Sequence, residues 1–163
     1  MSNRLWAPWR SAYVSKPKSR GCVFCRISRE NNDKKNHIIA RSEYCFTVLN
    51  TFPYNNGHLM VIPFRHIASP VKLSAKEYTD MVESLNKMIV LYEKILHPHG
   101  FNIGMNIGSA AGAGIAQHLH MHLVPRWKGD VNFMPVIAET KVIPQGLDEL
   151  YQLLTKKKHH EKI

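Results

Sequence analysis

The chain has 163 residues, which is enough for one domain with a buried core and short for two. Apolar residues make up 44% of the sequence and charged residues 21%, as in a soluble globular protein, and no apolar run approaches the roughly 20 residues that cross a bilayer. The formal charge of +10 favours anionic ligands, namely nucleotide, polyphosphate or nucleic acid, without choosing among them.

The start of the chain and its cysteines indicate a cellular compartment. The first residues, Met1 to Trp6, lack the apolar core of a signal peptide. Three cysteines, two of them in the pair Cys22-x-x-Cys25, suit a reducing compartment and a thiol or metal site better than a disulfide framework. We therefore expect a cytoplasmic protein with no membrane association.

Two terminal segments differ from the rest of the chain. Residues 1–20 include Leu5-Trp6-Ala7-Pro8-Trp9-Arg10, and aromatic side chains this dense predict packing on the domain or on a second subunit. The tail 155–163 is basic through Lys156-Lys157-Lys158, which solubility alone explains as readily as ligand binding. The sequence predicts one domain, 1–163, with an aromatic arm and a basic tail.

The first half of the chain has strand signals. A short helix is expected through Ile27 to Arg29, and the polar run Asn31–Asn36 reads as a loop. An Asn-Gly turn signal at Asn56-Gly57 then joins two apolar runs, which indicates antiparallel pairing. The predicted strands are Ile38–Ala40, Tyr44–Leu49 and Leu59–Ile62.

The second half of the chain contains the clearest helix. Ser74 and Glu77 form a capping-box pattern, and apolar residues recur at spacings of three and four to about His97. A further strand is predicted at Phe101–Gly108 and a last amphipathic helix at Leu147–Leu154. The expected fold class is α+β: an antiparallel sheet of about five strands with a long helix and a C-terminal helix.

The chain is organised around the stretch Gln117-His118-Leu119-His120-Met121-His122-Leu123-Val124-Pro125-Arg126-Trp127. Three histidines at spacing two, alternating with apolar residues, have the period of a β-strand, so one face carries imidazoles and the other hydrocarbon. Each buried imidazole needs a hydrogen-bond partner, which makes such a row costly as mere structure. The pattern favours a functional site.

A small-residue loop, Gly108-Ser109-Ala110-Ala111-Gly112-Ala113-Gly114, leads into this stretch. Backbone N–H groups of a glycine-rich turn can hold phosphate oxygens without side-chain bulk. Alone, such glycines more often form only a tight turn. Beside three histidines, a phosphate site is the better interpretation.

These residues carry a resemblance to a known family. His118-Leu119-His120-Met121-His122-Leu123 followed by Pro125-Arg126 resembles the signature of the histidine-triad (HIT) superfamily, and Gly57-His58-Leu59-Met60-Val61-Ile62-Pro63 resembles its upstream pattern. The resemblance covers roughly Cys22 to Trp127 and implies the HIT-like fold. The flanking sequences around Trp6 and Trp127 look most like the bacterial diadenosine tetraphosphate (Ap4A) phosphorylase branch.

The resemblance implies nucleotidyl transfer through a covalent intermediate. His120 would attack the α-phosphorus of a dinucleoside polyphosphate, His122 would stabilise or orient the phosphate, and His118 would complete the catalytic set of histidines. Asn50 would hold the ribose, although a turn-forming role at the end of a strand is the alternative for it. Further nucleotide or phosphate contacts would come from Asn106, Gly112, Ala113, Gly114 and Gln117.

One position departs from the family's commoner pattern. Many members carry a Gln and a Ser or Thr just before the triad, where this chain has Gly114-Ile115. Ile115 cannot donate a hydrogen bond. We therefore favour a site in which backbone amides and an added phosphate ion fill that space, so that Ap4A is cleaved by phosphate to ADP and ATP.

The Cys22-x-x-Cys25 pair alone could be a redox pair, a zinc half-site or two buried thiols. Related family members bind zinc with such a pair, a histidine after the Ile-Pro strand and the first triad histidine, which here are Cys22, Cys25, His66 and His118. Two thiolates and two imidazoles complete a tetrahedral set, so the predicted Zn²⁺ is structural. No organic cofactor is expected.

The remaining cysteine and histidines are assigned structural or surface roles. Cys45 lies in an apolar strand and is predicted to be a core residue, and His58 is expected to be a structural histidine near the site. The histidines without a partner signal are expected at the surface: His37, His97, His99, His159 and His160.

Several functions stay open on the sequence alone. A HIT-type hydrolase of Ap4A, Ap3A or nucleoside phosphoramidates is the first alternative, and a non-catalytic nucleotide- or RNA-binding module is the second. A catalytic metal held by all three triad histidines is disfavoured, because His118 and His122 would lie about 13 Å apart along a strand. Expected partners are a dinucleoside polyphosphate or other nucleotide, inorganic phosphate as acceptor, and a second copy of the chain in a homodimer or larger assembly.

Overall fold

A computed structural model describes residues 21–131 and 142–160 of the chain. The predicted aromatic arm, 1–20, lies outside the described residues, as do 132–141 and 161–163. No helix of the described part is long and apolar enough to cross a membrane.

One antiparallel sheet of five strands forms the frame of the described chain, as predicted. Its spatial order is β1-β2-β3-β5-β4, and every pair of neighbours is antiparallel. The strands are β1 (Ile38–Arg41), β2 (Cys45–Leu49), β3 (Leu59–Pro63), β4 (Gly100–Gly104) and β5 (Met121–Arg126).

In the described part of the chain, four helices accompany the sheet, and the long and C-terminal helices confirm the α+β prediction. They are α1 (Val23–Arg29), α2 (Asp33–Asn36), α3 (Ala75–Ile95) and α4 (Leu147–His160), with single 3₁₀ turns at Pro70–Lys72 and Ser109–Ala111. The predicted capping box is present: the Ser74 hydroxyl accepts from the Glu77 N–H, and the Glu77 carboxylate accepts from the Ser74 N–H.

Several boundaries differ from the sequence prediction. Part of the predicted polar loop is the short helix α2, because the Asn32 side chain caps it by accepting the Lys35 N–H. Strand β4 ends at Gly104 rather than Gly108, and β5 begins only at Met121. Helix α4 continues to His160, beyond the last apolar residue that its sequence period indicated.

The sheet has two different faces. On one face, α3 and α4 cover a core that includes Cys45, Leu49, Met121 and Leu123. On the other face, α1 packs Phe24 and Ile27 onto the alternate residues of β2 and β3, which are Phe46, Val48, Met60 and Ile62. Met121 and Leu123 point to the core beneath α3 and α4. Because side chains alternate between the two faces, His120 and His122 face the α1 side.

Candidate active site and metal centre

The histidine row is buried on the α1 side of the sheet. Strand β5 lies between β3 and β4, and His122 is level with Met60 on one neighbour and with Gly104 on the other. The side chains of His118, His120 and His122 are 1%, 6% and 7% exposed. The predicted alternation is therefore present, although only His122 belongs to the regular strand.

The backbone of the row fixes the orientation of the middle histidine. The His120 Nδ1 atom lies 2.9 Å from the His118 carbonyl oxygen, so Nδ1 carries the proton and donates it to that oxygen. The lone pair of this tautomer is on Nε2. A histidine with this tautomer presents a nucleophilic nitrogen on the side away from its own backbone.

A second chain of hydrogen bonds fixes His122. The Tyr54 backbone N–H donates to His58 Nδ1 at 3.0 Å, so His58 carries its proton on Nε2. That Nε2–H donates to His122 Nδ1 at 2.8 Å, which places the His122 proton on its own Nε2. This buried Nε2–H has no partner among the described residues and is therefore a donor available to a ligand oxygen.

Burial keeps the pair of histidines neutral. Desolvation lowers the pKa of His122 to about 4, and the neighbouring His120 adds to the effect. Desolvation lowers the pKa of His58 to about 3, followed by the influence of His122 and His120. Both rings are neutral at pH 7, as the assigned tautomers require.

Aromatic rings flank the row on both sides. The ring centroid of Phe24 lies 5.3 Å from that of His120 and 5.5 Å from that of His118. On the opposite side, the Tyr54 centroid lies 5.5 Å from that of His122. The sequence predicts no role for Phe24 or Tyr54, because nothing in a helix or loop sequence shows which histidine an aromatic residue will contact.

Asn50 lies beside this site, but its side chain already has a structural task. Its Oδ1 accepts the Phe52 N–H at 2.9 Å, which is an Asx turn, and its Nδ2 lies 3.3 Å from His58 Nδ1. The turn-forming alternative for Asn50 is therefore present in the structure. A ribose contact could use the second Nδ2 hydrogen or the second lone pair of Oδ1 without displacing these bonds.

The glycine loop uses part of its hydrogen-bonding capacity internally. Gly112, in the left-handed region at φ +84°, donates its N–H to Ser109 O, and Ala113 donates to Gly108 O at 3.4 Å. Among the described residues, no backbone acceptor of this loop takes the N–H of Gly114. That amide can donate to a phosphate oxygen, and the phosphate contacts of Gly112, Ala113 and Gly114 stay a prediction.

Asn106 and Gln117 border the same loop. A Cβ placed on Gly112 would be 4.0 Å from the Asn106 Nδ2 atom, so the amide of Asn106 lies beside the loop. Strand β4 ends at Gly104, which pairs with His122, and Asn106 follows two residues later. Gln117 is exposed in the turn before His118.

The four predicted metal ligands form one cluster. The side chains of Cys22, Cys25, His66 and His118 each offer one ligand atom, and these atoms lie within 4.8 Å of one another. The closest separations are 3.2 Å between the two Nδ1 atoms and 3.3 Å between each Sγ and an Nδ1. Zinc bonds of about 2.0–2.3 Å at tetrahedral angles require ligand separations of about 3.3–3.8 Å. The closest separations are near this range, and the wider ones, up to 4.8 Å, would have to shorten for the set to hold Zn²⁺.

The tautomer of His118 also fits a metal ligand. Its Nε2–H donates to the Pro63 carbonyl at 2.9 Å, which leaves the Nδ1 lone pair facing the two thiols and His66. Burial lowers the pKa of His118, so the ring is neutral. Burial and the adjacent Cys22 raise the pKa of the Cys25 thiol, and a bound cation would be needed to hold both thiolates together.

The other assignments are met in part. Cys45 is fully buried, as predicted, and desolvation raises the pKa of its thiol to about 11. His37, expected at the surface without a partner, instead lies with its Nε2 2.7 Å from Asp148 Oδ1 and links β1 to α4. His99 Nδ1 accepts the Lys128 N–H at 2.8 Å.

Comparisons with known proteins agree with this geometry. The sequence model of a protein family described as "HIT domain" matches residues 31–129. The chain is 39% identical over 160 residues to a Mycobacterium tuberculosis protein named AP-4-A phosphorylase, covering 93% of this chain and 82% of that protein. It is 32% identical over 93 residues to a Schizosaccharomyces pombe asymmetrical bis(5′-nucleosyl)-tetraphosphatase, covering 57% of this chain and 50% of that protein.

A solved structure gives the same result for the fold. A Zn-bound histidine triad family protein from Mycobacterium smegmatis superposes with a TM-score of 0.67 at 26% identity, covering 85% of this chain and 94% of that chain. The expected HIT-like architecture is confirmed. That protein's zinc is a property of that protein, whereas the cluster of two thiols and two imidazoles is observed in this chain.

Proposed function

The chain belongs to the histidine-triad family, and from that premise we propose that it is a nucleotidyltransferase that cleaves dinucleoside polyphosphates such as Ap4A through a nucleotidyl-His120. The favoured acceptor is inorganic phosphate, so that the products are ADP and ATP. The observation that carries the proposal is the hydrogen bond from His120 Nδ1 to the His118 carbonyl, because it leaves the lone pair on Nε2.

The first step is a displacement at the α-phosphorus. His120 Nε2 forms the new P–N bond while the bond from phosphorus to the bridging oxygen breaks, so Ap4A yields adenylyl-His120 and ATP. The positive charge that develops on the ring is shared through Nδ1–H with the His118 carbonyl oxygen at 2.9 Å. The carbonyl thus holds the ring in one tautomer and stabilises the cationic intermediate.

His122 acts on an oxygen of the reacting phosphate. Its Nε2–H is buried and has no acceptor among the described residues, while Nδ1 is held by His58. Because His58 and His122 are neutral at pH 7, this N–H can donate to the departing oxygen without the repulsion that a second imidazolium would exert on His120.

The second step transfers the adenylyl group to phosphate. A phosphate oxygen attacks the α-phosphorus, the P–N bond breaks back to His120 Nε2, and ADP is formed. Support for phosphate over water comes from the M. tuberculosis relative named AP-4-A phosphorylase and from Ile115, whose partly buried side chain packs on the α1-side cluster and donates nothing. The N–H of Gly114, for which the described residues offer no backbone acceptor, would donate to the acceptor phosphate.

We also propose that the Cys22, Cys25, His66 and His118 cluster holds a structural Zn²⁺. Four protein ligands leave no position for water or substrate, so the ion would stabilise the fold and supply no Lewis acid to the reaction. The residues link it to the reacting group: His118 belongs to the cluster through its ring and holds His120 through its carbonyl oxygen.

One assay decides among the alternatives. The protein is incubated with Ap4A with and without phosphate, and nucleotides are separated after single-turnover and multiple-turnover times. We expect ADP and ATP that depend on phosphate, and an increase in protein mass by one adenylyl group when phosphate is omitted. The His120→Asn variant should show no adduct and less than about one hundredth of the turnover, whereas His97→Asn, an exposed histidine, should behave as the wild type.

Other outcomes would contradict specific parts of the proposal. If AMP and ATP were the products and formed at the same rate with and without phosphate, the protein would be a HIT hydrolase. The S. pombe relative is named as a tetraphosphatase. Turnover that survives in a folded His120→Asn variant would exclude the covalent step. Binding without turnover, with a steep salt dependence, would favour a nucleotide- or RNA-binding module.

A further inference from the structure

Tyr54 is a half-exposed aromatic residue in direct contact with the reacting histidines. Its ring centroid lies 4.5 Å from that of His58 and 5.5 Å from that of His122, and its side chain is 49% exposed. Large aromatic residues that contact buried site groups and also keep an open face are typical binding surfaces for flat ligands.

The two ends of the histidine row are not equivalent. At the His120 and His118 end, Phe24 is only 5% exposed and belongs to a buried apolar cluster. At the His122 end, the free Nε2–H donor and the half-exposed Tyr54 lie side by side. The oxygen that departs with the leaving group is proposed to meet that donor, so the leaving group passes along Tyr54.

The loop that carries Tyr54 is held in place. Its backbone N–H is bonded to His58 Nδ1, and the next residue, Asn55, is 4% exposed and donates from Nδ2 to Pro125 O at 3.0 Å and to Asp130 Oδ2 at 2.7 Å. A ring on an anchored loop has lost much of its freedom before a ligand arrives, which favours stacking.

We propose that Tyr54 is the stacking surface for the base of the departing nucleoside polyphosphate, the half of the substrate that is not transferred to His120. This assignment rests on the proposed function for the direction of the leaving group. A purine or pyrimidine has two flat faces that stack on an aromatic ring with little sequence preference. The subsite therefore accepts any dinucleoside polyphosphate and distinguishes it from a mononucleotide with the same phosphate chain.

The test compares two ligands that differ only in the second nucleoside, Ap4A and adenosine 5′-tetraphosphate. Binding is measured by calorimetry in the His120→Asn background, so no turnover is required. We expect Ap4A to bind about tenfold more tightly, and Tyr54→Ala to remove that difference while Tyr54→Phe keeps it. Tyr78→Ala is the matched control, because Tyr78 is 48% exposed on α3, whose buried face covers the opposite side of the sheet.

The possible results separate the two proposals. Equal affinities for the two ligands, or equal weakening of both by Tyr54→Ala, would overturn the stacking role, since Tyr54 would then only position His58 and His122. Absence of adenylyl-His120 in the wild type would instead overturn the covalent step, and the difference in affinity for the two ligands would still report on Tyr54.

Discussion

At the scale of single residues, Gly57 is the position on which the loop before His58 depends. Its φ is +73°, in the left-handed region, and a Cβ there would lie 3.0 Å from Pro125 Cγ and 3.2 Å from Leu96 Cδ1. The Asn-Gly signal predicted a turn. Only the packing shows that the missing side chain of Gly57 also allows β5 and the end of α3 to approach the loop closely.

Gly57→Ala is therefore expected to destabilise the protein by about 1–3 kcal/mol, because it combines backbone strain with overpacking. The free energy of unfolding in urea measures the effect. Gly100→Ala is the control, because a Cβ added there would meet nothing within 4 Å beyond its chain neighbours, and its φ is not positive. Equal stability of the two variants would contradict the close approach at Gly57.

At the scale of elements, helix α3 is tied to the loop that carries His66. The Glu77 carboxylate accepts two hydrogen bonds from Arg65, one from Nε and one from a terminal guanidinium nitrogen, both at 2.8 Å. It also accepts the Ser74 N–H at 2.7 Å. A single carboxylate thus completes the helix cap and fixes the residue before a candidate metal ligand. The Arg65 hydrogen bond, followed by that of Ser74, lowers the pKa of Glu77 from 4.5 to about 2.

This lowered pKa gives the stability a defined pH dependence. A carboxylate whose folded-state pKa is below its unfolded value stabilises the fold fully above pH 4.5, and the contribution disappears as the pH falls from 4.5 towards 2. We expect the wild type to lose more unfolding free energy between pH 7 and pH 3 than Glu77→Gln loses. Glu93→Gln, on the exposed side of the same helix, should keep the wild-type slope.

At the scale of the whole molecule, the proposed zinc would join three distant parts of the chain. Its ligands come from α1 and the residue before it, from the loop after β3, and from the turn before β5. Such an ion would bind the folded chain and hold α1 on the sheet, so its removal should lower the melting temperature.

Metal analysis checks this expectation. Protein purified without chelator should contain about one Zn²⁺ per chain, and Cys22→Ser or Cys25→Ser should lose most of it. Cys45→Ser is the matched control, because Cys45 lies in the core beneath α3, away from the cluster. If the wild type contained no zinc and its melting temperature did not change when a chelator was added, the proposed metal site would be contradicted. Cys22 and Cys25 would then be two thiols.

The oligomeric state and the cytoplasmic location stay predictions. Strand β4 is at one edge of the sheet; Ile103 within it is 50% exposed, and Ile107, three residues after its end, is 51% exposed. A second copy pairing along this edge would cover both side chains, and sedimentation equilibrium would measure whether the homodimer forms.

The sequence by itself determined the features that repeat with a period or follow from local hydrogen bonds. The alternation of histidine with apolar residues, the capping box at Ser74 and the Asn56-Gly57 turn all depend on neighbours in the chain. The family signature further predicted that His120 is the reacting imidazole and that Cys22, Cys25, His66 and His118 bind a metal. The structure brings the four predicted ligands together, and both roles stay predictions.

Only the tertiary structure decided how these groups are oriented. The tautomer of His120 depends on a carbonyl two residues away, but that of His122 depends on a relay through His58 from the Tyr54 amide, 68 positions earlier. Strand β5 likewise starts later than its pattern suggests, because strand bounds require a paired neighbour. The local sequence pattern predicts on which face of the sheet a side chain lies. Its hydrogen-bond partners come from segments that meet only in the folded chain.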